Sequence, residues 1–184
     1  MKHGSRRVPP KKKTASLLGV CYDVVEVLVA SLACIVLLFT FLFRVVRVEG
    51  DSMMDTLNGG DRLTLCPALS SPDRGDIAVI NRYTDEPLVK RVIGVAGDTL
   101  EIDEELHRVR LNGELLDEPY VQYPTLAYDM TGEVAVPEGY VFVMGDHRND
   151  SHDSRAADIG LVPVDDIVGW AAFRIWPPQR IGIL

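Results

Sequence analysis

The chain has 184 residues, a formal net charge of −8 and an ordinary apolar fraction of 47%, which suits one domain with a core and not two large ones. Residues 1–13 carry six bases (Lys2, Arg6, Arg7, Lys11, Lys12, Lys13) and no acid, whereas residues 44–184 hold 13 Lys and Arg against 25 Asp and Glu. A body so acidic repels phosphates, which argues against a nucleic-acid-binding domain; its lone cysteine, Cys66, and the lack of CxxC or Cys/His spacing leave no disulfide framework or zinc site.

In chain order, the basic tail 1–16 precedes an apolar run over 17–43, interrupted only by Asp23, Glu26 and a few small polar residues. As a helix the whole run spans about 40 Å and its uninterrupted part, 27–43, about 25 Å, which brackets a bilayer core of about 30 Å. The run predicts one transmembrane helix. A cleavable secretory signal has a shorter apolar region and a small-x-small end, whereas this run passes into the bulky and basic FRVVRVEG. The excess of bases before the run places the N-terminus in the cytoplasm, and the body 44–184 then lies outside. A body without disulfides suits a bacterium that does not rely on them.

After residue 43 the pattern changes to short alternating or apolar runs split by turns, with little helical periodicity. Strands are expected at 62–65, 77–82, 88–95, 99–102, 108–111, 114–116, 140–144 and 168–175. Asn112-Gly113 is the strongest hairpin signal, and Gly-Asp dipeptides at 50–51, 60–61, 75–76, 97–98 and 145–146 mark further turns. The fold class expected is mainly β, an antiparallel barrel-like domain behind one N-terminal transmembrane helix.

Three stretches draw attention for chemistry: GDSMMDTL at 50–57, VKRVIG at 89–94 and GDHRNDSHDSR at 145–155. After Lys13 the chain contains twelve arginines and one lysine, Lys90. Arginine stays protonated and cannot act as a base, whereas a lysine loses its proton readily once desolvated. A strand lysine with its amine in solvent is the ordinary alternative, and Ser52 taken alone is an ordinary turn serine. The residues by themselves leave this open.

These stretches, in this order behind one N-terminal anchor, resemble the conserved blocks of the bacterial type I signal peptidase (leader peptidase) family, in its compact Gram-positive-like form. The resemblance covers the anchor and most of 44–184. It implies a membrane-bound serine endopeptidase with a Ser/Lys dyad, in which Ser52 attacks the scissile carbonyl and Lys90 accepts the hydroxyl proton. It implies that Ser151 hydrogen-bonds the lysine amine, and that Asp146, Arg148, Asp153 and Arg155 form ion pairs behind the site. The backbone N–H of Ser52 is the expected oxyanion donor. No cofactor and no metal are implied. Substrates are expected to be exported preproteins cut after small-x-small motifs, bound extended at a strand edge, with Met53 and Val89 as candidates for lining the substrate pockets. Further partners are the lipid bilayer and the export machinery, with no nucleic acid.

The chain departs from the family pattern at three points. Asp55 stands where the family usually has proline, which leaves the turn after Ser52 less stiff. Gly50 replaces a serine that in some members assists the oxyanion hole, and His147 replaces the more common Asn. A self-cleaving repressor, another Ser/Lys class, would need a DNA-binding segment where the anchor stands, and three further rival readings remain. One is a triad of His147 or His152 with Ser151 or Ser154. The second is the SxxK class, which Met-Met-Asp after Ser52 rejects. The third is a non-catalytic membrane-tethered assembly factor of the same fold, relatives of which are expected to lose Ser or Lys.

Overall fold

The computed structural model describes residues 17–42, 44–67, 71–81 and 87–184, and the chain divides into two units, Met1–Phe41 and Leu42–Leu184. The expected basic tail 1–16 lies outside the described residues. Helix α1 covers Leu17–Leu42. It is rich in Leu, Val and Ala and holds no proline, and every side chain from residue 18 to residue 37 is exposed. A helix apolar all round has no polar face to turn to water, and this one is long and apolar enough to cross a membrane.

Among its described residues the second unit holds twelve strands: β1 (Arg44–Arg47), β2 (Arg62–Pro67), β3 (Ile77–Ile80), β4 (Leu88–Gly94), β5 (Thr99–Asp103), β6 (Arg108–Leu111), β7 (Glu114–Leu115), β8 (Val134–Ala135), β9 (Tyr140–Met144), β10 (Val162–Pro163), β11 (Ile167–Trp176) and β12 (Gly182–Ile183). Strands β1-β2-β11-β3-β4-β9-β10 form the larger sheet, with β12 on β11, and β7-β6-β5-β8 form the smaller one. All pairings are antiparallel. Three register breaks in β11, at Ala171/Phe173 and Arg174/Trp176 against β2 and at Ile167/Gly169 against β3, supply the extra twist that curls a sheet.

The pleat explains why β3 reads as an unbroken apolar IAVI. Ile77 and Val79 enter one core with Leu63, Leu65 and Val89, while Ala78 and Ile80 enter a second with Val92, Val143 and Trp170. Successive side chains point to opposite faces, so a strand covered on both sides has no polar positions. A third core, with Leu100, Val109 and Phe142, joins the smaller sheet to β4 and β9 of the larger one.

The hairpin at Asn112-Gly113 forms between β6 and β7, with both residues at positive φ (53° and 81°), as a type I′ turn requires. Strands β1, β8, β10 and β12 lie outside the expected set. Three of these are two residues long, too short for alternation to register, and β1 (RVVR) follows the anchor directly. The strand expected over 77–82 stops at Ile80, and residue 82 lies outside the described residues. Trp170 is buried in the second core, whereas Trp176 is half exposed.

Candidate active site

Pairing of β1 with β2 brings Arg47 opposite Arg62, so the residues between them close into a compact turn. Backbone bonds from Val48 N–H to the Asp61 carbonyl (2.8 Å) and from Gly60 N–H to the Val48 carbonyl (2.9 Å) shut its base. Met53 and Leu57 drive their side chains into the first core and hold the turn down. Ser52 is left half-buried on it.

Lys90 sits on β4 opposite Ala78 of β3. Its side chain is buried, with 2% of the residue exposed, and its Nζ lies 2.6 Å from Ser52 Oγ. Loss of solvent pushes the amine down to about 8 because burial disfavours the charged form. Carboxylates of Asp153, Asp146 and Asp150 pull the other way, and Arg155 adds to the lowering. Once neutral, the amine presents a lone pair to the hydroxyl proton at hydrogen-bond range, the geometry a general base requires.

Behind this contact lie three charge pairs. Asp153 accepts from Arg155 Nε (2.8 Å) and Nη2 (2.8 Å), from the Gly145 N–H (3.0 Å) and from the Ser151 hydroxyl (2.6 Å). Burial works to raise the Asp153 pKa, but the Arg155 guanidinium, then Ser151 and the Gly145 amide, outweigh it and hold the carboxyl below its ordinary value. Arg155 also donates to the Leu126 carbonyl (2.9 Å) and lies over the Tyr128 ring. Asp146 accepts both arms of Arg91 (2.8 and 2.6 Å) and the Thr56 hydroxyl (2.5 Å). Arg148 forks onto Glu118 and donates to Thr125 Oγ1 (3.0 Å) and the Gly145 carbonyl (3.1 Å).

Gly145 is where these parts meet. A Cβ there would fall 2.3 Å from Ser151 Oγ and 2.4 Å from the Ser52 carbonyl oxygen. Two residues further on, His147 N–H donates to that same carbonyl at 3.0 Å.

Ser52, Lys90, Ser151, Asp146, Arg148, Asp153 and Arg155 are thus gathered around one glycine, though not with every partner expected. Among the described residues the Lys90 amine is hydrogen-bonded to Ser52, and Ser151 gives its proton to Asp153, because an ionised carboxylate is a stronger acceptor than an amine already engaged. Only Asp153 and Arg155 pair with each other; Asp146 and Arg148 take Arg91 and Glu118. Met53 and Val89, expected to line substrate pockets, are both packed into the first core, 1% and 6% exposed. They anchor the Ser52 turn and present almost no surface.

Arg91, Glu118 and Thr56 belong to the site and were not singled out from the sequence. Arg91 adjoins Lys90 and Thr56 falls within GDSMMDTL, so both had a signal; Glu118 sits in an irregular loop and had none. The rival triads are not assembled. His147 Nδ1 faces the Asp51 carbonyl (3.3 Å) and its ring stacks with Tyr123, His152 pairs with Asp158, and Ser154 Oγ accepts the Val143 amide. Among the described residues no group of three His, Cys, Asp or Glu stands where it could hold a metal ion.

A curled antiparallel domain with a serine hydroxyl against a buried, unpaired amine describes the class of serine-type hydrolases. A family model for signal peptidase, peptidase S26, matches residues 21–176, and the chain belongs to that family: it is a serine endopeptidase. Among its relatives, signal peptidase I T of Bacillus subtilis is 36% identical, with 91% of this chain and 89% of that one covered. A probable signal peptidase I-2 of Synechocystis is 32% identical over 97% of this chain and 84% of that one. A crystal structure of a signal peptidase I from Enterococcus faecalis aligns at 28% identity and a TM-score of 0.45, covering 56% of this chain and 99% of that one.

Proposed function

We propose that the chain removes signal peptides from exported preproteins with Ser52 as nucleophile and Lys90 as general base. The observation that carries this reading is the 2.6 Å contact between a hydroxyl and a buried amine whose pKa is lowered to about 8. Neutral Lys90 takes the hydroxyl proton as Ser52 Oγ attacks the carbonyl carbon. The resulting ammonium donates to the departing amine, and a water activated by the same lysine then releases the acyl group from Ser52. The Ser52 N–H is the proposed donor to the oxyanion.

The substrate binds extended. Strand β4 pairs with β3 over Leu88–Arg91, while its pairing with β9 begins only at Arg91. Among the described residues the stretch 88–90 therefore has no strand on its second edge, and that edge runs up to Lys90 itself. An added strand there is held by backbone bonds, and shallow apolar subsites admit the small side chains of a small-x-small motif.

Residues 17–43 serve as the membrane anchor and 44–184 as the catalytic domain outside the plasma membrane, with the basic tail in the cytoplasm. Ser52 lies nine positions after Phe43, a reach of about 30 Å at most, so the nucleophile works near the outer face, where the export machinery delivers preproteins. The non-catalytic reading is disfavoured because both Ser52 and Lys90 are present and touch.

The test is cleavage of a preprotein ending in Ala-x-Ala by the detergent-solubilised full chain, beside Ser52→Ala and Lys90→Met. Cleavage by the parent at the Ala-x-Ala junction and inactivity of both variants is expected. Full cleavage by either variant ends the dyad.

A further inference from the structure

The turn that carries Ser52 is gripped from a direction that the catalytic residues do not explain. Arg174, near the end of β11, donates from Nη1 to the Thr56 carbonyl at 2.7 Å and from Nε to the Arg180 carbonyl at 2.6 Å. Arg180, on the short turn Pro178–Arg180 that follows, donates from Nη2 to the carbonyls of Asp55 (3.3 Å) and Thr56 (3.2 Å). Both guanidiniums stand against Asp61 Oδ2, at 3.3 and 3.6 Å. That carboxylate is almost fully buried at the foot of the turn and accepts the Asn58 N–H at 3.1 Å.

Thr56 is the node of this arrangement. Its carbonyl is held by the two arginines, and its hydroxyl is held by Asp146, which Arg91 grips next to Lys90. A shift of Thr56 is therefore a shift of the nucleophile's turn against the strand of the base. Guanidiniums on the carbonyls of residues 55 and 56 restrain the backbone of the turn from outside.

We propose that Arg174 and Arg180 are positioning residues for the nucleophile, a latch formed by the segment after β11 that keeps Ser52 Oγ at bonding distance from Lys90 Nζ. This rests on the reading of Ser52 and Lys90 as the reacting pair. The latch touches neither the substrate nor the amine. Its loss misplaces the attacking oxygen and lowers kcat, while KM and the pH midpoint set by Lys90 stay where they are.

Arg180 is the residue to test, because its side chain is 31% exposed and its removal leaves no core cavity. Arg180→Ala in the solubilised full chain is compared with the parent and with Ser52→Ala on an Ala-x-Ala preprotein. The expected loss in kcat is about 10- to 100-fold, the scale of a misplaced reacting group. Millimolar guanidinium chloride, but not sodium chloride at equal ionic strength, restores part of it by refilling the vacated site. An Arg180→Ala kcat within about twofold of the parent, or a loss that guanidinium does not relieve, overturns the latch. Those results leave the Ser52–Lys90 reading intact as long as Ser52→Ala is inert; a Ser52→Ala protein that still cleaves overturns that reading instead.

Discussion

Two buried basic regions lie side by side in this domain, and the chain treats them in opposite ways. Arg148 and Arg155 are 0% and 1% exposed, and each is forked onto a carboxylate and bonded to a backbone carbonyl. Lys90 is 2% exposed and meets a hydroxyl. Burial of a charge is tolerated when it is paired and fully hydrogen-bonded, so the guanidiniums stay charged and hold the loop together. The amine has carboxylates nearby but none in contact, so burial prevails and its proton becomes easy to lose. Equal burial thus yields scaffold in one place and, in the other, an amine that gives up its proton readily, as the proposed base must; the difference is the partner. It also explains why the base on the unpaired side is the body's one lysine and not an arginine: only lysine can give up its proton there.

The comparison breaks most sharply if the two regions prove interchangeable. Ser52→Ala or Lys90→Met is expected to lower kcat by about 10⁴-fold or more, and the double variant no further, because the two act as a unit. Steady-state cleavage of a preprotein measures both. On the scaffold side, Arg155→Met strands the Asp153 carboxylate without its partner and is expected to lower folding stability by about 3–5 kcal/mol. That is a large share of the roughly 5–15 kcal/mol a domain possesses, and denaturant titration reads it.

Lys90→Met is expected to move stability the other way. The folded-state pKa of Lys90 lies below its unfolded value, so the unfolded chain binds the proton more tightly. Stability is therefore reduced below about pH 8 and recovers as the pH rises toward 10.5. Removing the amine relieves up to about 3 kcal/mol at neutral pH, less the packing and hydrogen bonding it provided. An inactive variant with a raised Tm marks a group kept for chemistry; a lowered Tm would place Lys90 with the scaffold. The smallest effect concerns pH and the parent enzyme. Because the proposed base acts unprotonated, kcat/KM, which reports the free enzyme, is expected to rise about tenfold per pH unit below the midpoint and to level off above about 8.

The division between the regions also marks what could be read from residues alone. Ser52 and Lys90 stood out through a resemblance and through the solitary lysine, and the Asn112-Gly113 hairpin through local turn chemistry. The partners that complete the scaffold escaped because their pairings are remote. Arg91 and Asp146 are 55 residues apart, Glu118 and Arg148 are 30, and Thr56 and Asp146 are 90. Neither strand periodicity nor a turn signal reports such contacts. Ser151 was expected on the lysine and bonds Asp153, because a local pattern names a neighbourhood and the strongest acceptor within it takes the proton. Met53 and Val89 fill the core for a similar reason: apolar residues next to a nucleophile hold it in place as readily as they meet a substrate.

The central claim is that the amine at position 90 loses its proton far more easily than the other lysines, and it can be observed without substrate. In the solubilised full chain labelled with ¹³C at lysine Cε, five lysines report their own titrations by NMR, and Lys90→Arg assigns the signal that disappears. Lys90 is expected to titrate near 8, well below the ordinary lysine value of about 10.4. Five coincident titrations near the ordinary value would contradict the account, because a serine hydroxyl beside a permanently charged amine has no base.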